Sequence, residues 1–504
     1  MRAGLLMSSI VIASGVSYEF ANGRELFRNL NFALDAKLAA LVGPNGVGKT
    51  CLANLIAGNL EPTEGVIRRM APAKLLPQRQ EAPRSSVMEY LFAAYEWSLP
   101  AEKLLQGIDR HASCADLSGG QWMRVRLACA LNNQFLILDE PTNDLDRDGR
   151  QAIIQFLQDH KSGALLISHD RECLRICDAI LELSNHGLAK FGDGWSAYAE
   201  AKEREGERMR AALERAKRAR DSALGDRAAQ KARLDKRNRR GAKSAAAGSM
   251  PKILLGARKR RAQAACGKLD SATLERSENA VQAAQEALRD IKMDPVMYAD
   301  LLGGDIPAQR LVAEASGFNI RFKNWIYADD LDFSWRGSVR VALQGTNGSG
   351  KSTLLKALLG REFDTRGRLR RGDLVALYLD QACGMLDDAA SVFENVRAVS
   401  AASESEIRNG LAKFLFAGEA VFRKVSELSG GERLRAALAR GWLGAQKPEL
   451  LVLDEPTNNL DLMNVQFLEQ VVGGFRGALL VISHDRDFLQ NCGVSQELVV
   501  RAAP

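Results

Sequence analysis

Two lysines, Lys49 and Lys351, each close a glycine-rich loop of the same pattern. The first loop reads Gly43-Pro44-Asn45-Gly46-Val47-Gly48-Lys49-Thr50 and the second Gly345-Thr346-Asn347-Gly348-Ser349-Gly350-Lys351-Ser352. Small residues let the backbone pass close to phosphate oxygens. Its N–H groups, together with the start of a following helix, form an anion nest. Lys49 and Lys351 are expected to reach the β- and γ-phosphates of ATP, and Thr50 and Ser352 to place a hydroxyl on Mg²⁺. One such loop arises by chance fairly often; two complete ones, each behind an apolar strand, do not.

Each loop is followed by the same further residues in the same order. Asp139 and Asp454 end apolar runs, where a carboxylate can hold a metal through water, and Glu140 and Glu455 come directly after them. These glutamates are placed to orient or polarise an attacking water, so both sites are expected to hydrolyse ATP. His169 and His484 lie thirty residues beyond their aspartates within Ser-His-Asp, a matched spacing that points to a γ-phosphate contact. Gln78 and Gln381 follow apolar stretches after the glycine loops and are weaker candidates for metal or water contacts. Ser118-Gly119-Gly120 and Ser429-Gly430-Gly431 open helices near Gln121 and Glu432, and a helix start with a free hydroxyl and bare backbone binds anions. Within its own domain this turn has no nucleotide to meet. Supplied across an interface, it would complete the other domain's site.

The elements that must position these residues read as α/β. Leu38–Val42 is an apolar strand leading into a glycine loop, and Thr50 to Ala57 continues as a helix. Residues 135–138, 164–167, 450–453 and 478–482 are continuous apolar strands, which between helices imply a parallel sheet covered on both faces. The long repeat marks duplicated domains. Lys49 to Asp139 spans 90 residues and Lys351 to Asp454 spans 103, so the second copy carries extra loop residues. We place a first nucleotide-binding domain at 1–195, a linker at 196–312 and a second domain at 313–504.

The linker carries the chain's positive charge. Residues 201–261 hold 21 Lys and Arg against 7 Asp and Glu, leaving 48 basic and 55 acidic residues elsewhere, although the whole chain has a net charge of +7. Residues 199–240 are rich in Ala, Glu, Lys and Arg without proline and predict a long charged helix. A breaker-rich turn is expected at 241–251 and a second helix at about 274–292, making a hairpin with a basic tip. Ile253-Leu254-Leu255 near that tip seek a partner.

Bulk properties exclude several classes. No apolar run approaches ~18 residues, so no membrane insertion is expected. The stretch Leu5–Ala13 is short and broken by serines, and reads as a first strand rather than a secretory leader, with Met1 or Met7 as the start. The eight cysteines (Cys51, Cys114, Cys129, Cys173, Cys177, Cys266, Cys383 and Cys492) include no C-x-x-C pair, which argues against zinc, iron–sulfur and disulfide frameworks and for reduced, cytoplasmic thiols.

The glycine loops, the Leu-Ser-Gly-Gly turns at 117–120 and 428–431, the Asp-Glu pairs and the Ser-His pairs resemble the ATP-binding cassette superfamily residue by residue. The resemblance implies a head-to-tail arrangement, with Lys49 facing Ser429 and Lys351 facing Ser118, closing intramolecularly in a monomer. It also places Tyr18 where that family stacks an aromatic ring on adenine; in the second copy Phe322 or Trp325 is the counterpart. Cys51 and Trp122 depart from the commonest family residues. Two cassettes in one chain, no membrane segment, a charged helical linker and the Asp-Glu-Pro-Thr-Asn runs at 139–146 and 454–461 resemble the ABC-F group. That resemblance implies binding to the ribosome near its exit site, with the linker reaching toward tRNA and ATP turnover gating departure. Basic side chains on RNA phosphates suit that task. With 38 residues between Gln78 and Leu117, no extra arm is expected in the first cassette, and no coiled coil after the last histidine. Two other functions compete: the ATPase subunit of a membrane transporter, and a DNA-junction or repair ATPase.

Overall fold

A computed structural model describes residues 9–503 except 36, 79, 94–98, 130–133, 144, 247–274, 276–277 and 283–303. The chain divides into two compact units, Met1–Tyr198 with Pro295–Pro504, and Ala199–Asp294. The expected tip residues 253–255, the N-terminal segment 1–8 and most of the second linker helix lie outside the described residues.

Continuous apolar strands make the two predicted parallel sheets. In the first cassette the order is 73–76, 135–139, 164–167, 38–42, 179–184 and 187–191, parallel except for the last hairpin. The second orders Ala376–Leu379, Leu450–Asp454, Ala478–Ile482, Arg340–Gln344 and Gln496–Val499, all parallel. In both, the strand feeding the glycine loop neighbours the histidine strand, which neighbours the aspartate strand. Parallel pairing brings all three carboxyl ends to one edge, where open α/β sheets bind ligands. Register sharpens this: Asp139 pairs with Ile167 and Asp454 with Ile482, so Glu140 and His169 leave the sheet side by side, as do Glu455 and His484.

Each cassette adds a three-stranded antiparallel sheet that the sequence reading did not foresee. Glu25–Asp35, Ser9–Glu19 and Glu64–Arg69 form the first; Leu331–Arg336, Leu311–Arg321 and Asp364–Arg371 form the second. Their apolar faces cover the helix behind each glycine loop. Leu52, Leu55 and Ile56 of helix Lys49–Ala57 are buried among Val11, Phe27 and Leu34 of the antiparallel sheet and Leu41 and Ile137 of the parallel one. Truncating such a leucine to alanine costs ~2–5 kcal/mol. The first strand of the second antiparallel sheet starts at Leu311, two residues before the domain limit read from the sequence.

The linker helix runs Gly194–Ala246, 53 residues or about 80 Å. It begins earlier than expected and passes through Gly241, where a break was predicted. A glycine costs an interior helix only ~1 kcal/mol, and Arg239, Arg240, Ala242 and Lys243 around it are good helix formers. Pairs such as Arg204–Glu200 and Lys217–Glu214 run along its surface. Of the expected second arm, 275 and 278–282 are described, and they are helical. Among the described residues, no helix is long and apolar enough to cross a membrane.

Candidate functional site

The glycine loops adopt the conformations their composition permits. Gly43, Gly46 and Gly48 have φ of 151°, 80° and 107°, and Gly345, Gly348 and Gly350 have 153°, 81° and 90°. At Gly48 a side chain would meet Leu26 at 2.6 Å, and at Gly350 it would meet Ile326 at 2.6 Å, so these turns need glycine for space as well as for φ. Lys49 Nζ donates to the carbonyls of Gly43 (2.7 Å) and Pro44 (3.2 Å) and to Asn45 Oδ1 (3.4 Å). Lys351 Nζ donates likewise to Gly345 O (2.8 Å) and Thr346 O (3.0 Å), beside Asn347. Both ammonium groups are folded over their loops, and burial lowers the pKa of each against the pull of the nearby carboxylates.

Behind each lysine, hydroxyl and carboxylate meet. Thr50 Oγ1 donates to Asp139 Oδ2 at 2.8 Å, and Ser352 Oγ to Asp454 Oδ1 at 3.1 Å. This is a hard oxygen donor set of one hydroxyl and one carboxylate beside an anion nest. It fits Mg²⁺, which keeps several waters and takes few protein ligands alongside substrate phosphates. Among the described residues no group of three or more His, Cys, Asp or Glu side chains suits any other metal. Asp454 also accepts from the Tyr378 hydroxyl (3.3 Å), where the first cassette has Leu75.

Glu140 and Glu455 both have φ of 49°, a left-handed backbone rare for glutamate. Their N–H groups donate to Ile167 O (2.8 Å) and Ile482 O (2.9 Å), which fixes the turn. Their carboxylates lie 3.5 Å from His169 Nε2 and 3.3 Å from His484 Nε2. Burial raises the Glu140 carboxyl to about 8, partly opposed by Lys49. It drives His169 well below its usual range and His484 to about 4, with the lysines adding in the same direction. Both imidazoles are therefore neutral near pH 7.

Ser118 and Ser429 each cap a helix, Gly119–Ala128 and Gly430–Trp442. Each side-chain oxygen accepts an N–H (from Gln121 at 3.2 Å and Glu432 at 3.4 Å), leaving the hydroxyl proton to donate elsewhere. The cap lies exposed, and a side chain at Gly119 would meet nothing within 4 Å.

The cassettes touch through the turns after the Asp-Glu pairs. Asn45 N in the first glycine loop donates to Asp461 Oδ2 (3.1 Å), and Asn45 Nδ2 to Asn459 O (3.0 Å). Asn459, at φ 59°, also accepts from Gln78 Nε2 and Asn143 Nδ2, each at 3.2 Å. Gly430 borders the same Asn459 carbonyl. The Ser429 turn of the second cassette thus lies beside the residue that grips the first glycine loop. Around the second loop, Asp146 of the first cassette supplies a field that acts on Lys351. A small cleft between the domains is lined by Glu140, His169, Asn143, Thr457, Asn459 and Asp485.

The glutamines and aromatic residues named from the sequence are exposed or half-buried. Gln78 is exposed and engaged with Asn459, and Gln381 is exposed in a turn. Tyr18 packs against the first core, 6.3 Å from Phe27, while Phe20 beside it is 37% exposed. In the second cassette Phe322 is 68% exposed, whereas Trp325 lies under Arg366 at 4.5 Å. Phe20 and Phe322 are separated by 302 residues, the same interval that separates Lys49 from Lys351. By that interval Phe20 is the repeat counterpart of Phe322, and Tyr18 that of Ile320. Asn143, Asn459 and Asp461 carry no local signal of their role.

Two nucleotide-loop domains with exchanged turns define a tandem ATP-binding cassette protein. A domain family described as ABC transporter matches residues 27–143 and 328–458. The ATP-binding protein Uup of Caulobacter vibrioides is 32% identical over 94% of this chain and 74% of its own length. The ribosome protection protein VmlR of Bacillus subtilis is 29% identical (96% and 85%), and the energy-dependent translational throttle protein EttA of Escherichia coli 28% (92% and 88%). The fold matches that of the archaeal ribosome recycling factor aABCE1, solved with the stalk protein aP1, with a TM-score of 0.60 at 17% identity over 97% of this chain and 89% of that one. The chain belongs to the ABC-F group of ATP-binding cassette proteins, and it is an ATPase.

Proposed function

We propose that this ATPase works on the ribosome in the cytoplasm, closing its two cassettes on ATP to set the basic linker helix near tRNA. The observation that carries this is the 53-residue helix with its basic excess, joined to tandem cassettes whose relatives are named for ribosome protection and translational throttling. Lys49 and Lys351 bind the β- and γ-phosphates, with the glycine-loop N–H groups. Thr50 with Asp139, and Ser352 with Asp454, hold Mg²⁺, which when bound neutralises phosphate charge. Glu140 and Glu455 orient and polarise the attacking water. His169 and His484, neutral, donate to the γ-phosphate. Ser429 and Ser118 reach that phosphate from the opposite cassette, so a monomer completes both sites on closure. Phe20 and Phe322 stack on adenine.

Glu140→Gln with Glu455→Gln is expected to bind ATP, lose hydrolysis by at least about 100-fold and sediment with ribosomes in lysate. Sedimentation with membranes instead would favour a transporter role. Neutralising the Lys and Arg residues of 231–240 is expected to weaken ribosome association and flatten its salt dependence.

A further inference from the structure

The internal repeat makes each cassette a control for the other. An interval of 315 carries Asp139 to Asp454, Asp146 to Asp461 and Asp170 to Asp485. It also carries Arg171 to Arg486, but it returns Glu469 to Ile154. This is where the two halves cease to be equivalent.

Arg171 and Glu469 form a bidentate pair across the cassettes. Nη1 lies 2.6 Å from Oε1 and Nη2 3.1 Å from Oε2, and the side chains are only 8% and 10% exposed. Next to it Arg175 meets Asp487 at 2.7 Å. The repeat-related positions are Ile154, packed on the first cassette's own core, and Arg486, which is exposed. For Arg175 and Asp487 they offer Gln490 and Glu172.

Both partners belong to the surroundings of the first nucleotide site. Arg171 is the first residue of helix Arg171–Arg175, two residues after His169. Glu469 lies on helix Leu462–Gly474, eight residues or about 12 Å beyond its N-cap Asp461. The Asp461 carboxylate grips Asn45 of the first glycine loop. One helix of the second cassette thus touches the first site at its glycine loop and again at its histidine loop.

We infer that Arg171 and Glu469 are positioning residues that make nucleotide leave the first site more slowly than the second. Opening the interface at the first site must separate a desolvated, two-bond ion pair and leave each charge without its partner. At the second site the repeat-related isoleucine and exposed arginine cannot form such a pair, so opening there has none to separate. The inference rests on the assignment of Lys49 and Lys351 to nucleotide, but not on any ribosomal role.

The test is release of a fluorescent, non-hydrolysable ATP analogue, mant-AMP-PNP with Mg²⁺, chased from the full chain by stopped flow. Two phases are expected, and Lys351→Ala should remove the fast one and keep the slow one. Glu469→Gln should accelerate the slow phase at least about tenfold and leave the fast phase alone. The reversed pair Arg171→Glu with Glu469→Arg should recover part of the slow release. Ile154→Glu, which sets a carboxylate at the position repeat-related to Glu469, should slow the fast phase. A single release phase in the parent chain overturns the inference. So do a slow phase indifferent to Glu469→Gln, and acceleration of both phases alike, which loss of fold would produce. Absence of any bound analogue would overturn the nucleotide-site assignment, and the inference with it.

Discussion

Asp461→Ala should destabilise the chain more than Asp146→Ala does, although the two residues are repeat-related helix caps. Asp461 is 4% exposed. Its Oδ1 accepts the Asn464 N–H (2.9 Å) and side-chain amide (2.7 Å), and its Oδ2 accepts Asn45 N from the other cassette (3.1 Å). Loss of the cap costs ~1 kcal/mol. Leaving the buried Asn464 amide without this acceptor adds ~1–3 kcal/mol. The Asn45 N–H is close to water, so its loss adds at most ~1 kcal/mol. The sum is roughly 2–5 kcal/mol. Asp146 is half-buried and caps Gly149 N at 3.0 Å, so its replacement should cost the ~1 kcal/mol of a cap. Urea titrations of the full chain followed by tryptophan fluorescence measure the difference. Asp461→Asn, which keeps an acceptor for the cap, should fall between. The same variant should weaken nucleotide binding at the first site, through Asn45, more than at the second. Equal midpoints for Asp461→Ala and Asp146→Ala would refute the reasoning, because it depends on the Asn464 amide and Asn45 N–H that Asp461 accepts in the structure.

The part of the stability that rests on His484 should fall as the solution is acidified below about pH 6.5, against Glu140, whose raised carboxyl adds stability as pH drops from about 8. His484 is held neutral to about pH 4, whereas in the unfolded chain it takes up a proton near its ordinary 6.5. At this imidazole the unfolded state binds more protons across that window, so the stability it lends above pH 6.5 is lost progressively toward pH 4, by up to ~3 kcal/mol. His169 acts in the same direction. His484→Gln should remove this loss, so that its urea midpoint gains on the parent's between pH 7 and 4.5; a difference that does not change with pH would count against the burial of this imidazole. In the linker, Gly225→Ala adds a methyl with nothing within 4 Å on an exposed helix face. It should raise helix stability by up to ~1 kcal/mol, read as a later loss of the circular dichroism signal on heating.

What local pattern can carry was legible. Apolar runs of four or five residues marked the parallel strands, because a strand buried on both faces has no polar side. The glycine loops, Asp-Glu pairs and histidines were legible because phosphate and metal chemistry admits few residue types at those places. The antiparallel sheets were missed for the opposite reason. Asp364–Arg371 is an edge strand whose residues are nearly all exposed, with arginines at four of its eight positions, and nothing in it alternates apolar with polar. Tyr18, inside strand Ser9–Glu19, and Phe20, just past its end, are both aromatic and two residues apart, so the sequence does not tell their roles apart. Which ring is packed on the core depends on Phe27, brought in by the neighbouring strand.

The cross-cassette contacts form a third class. Asn45, Asn459, Arg171 and Glu469 are ordinary polar residues whose meaning comes from partners some 300 to 400 residues away. Nothing local announces them, yet the repeat holds a partial signal. Where chemistry imposes the same demand on both sites, both copies keep the residue, as with Lys49 and Lys351 or Glu140 and Glu455. Where the copies differ at aligned positions, the demand is not shared. Ile154 against Glu469 and Leu75 against Tyr378 are such places, and both lie within reach of the nucleotide machinery: Glu469 through Arg171, Tyr378 through Asp454. A chain whose two sites did the same work at the same time would have no physical reason to differ there. If release at the two sites differs as inferred, the departures from repetition, more than the repetition, are where the cause should lie.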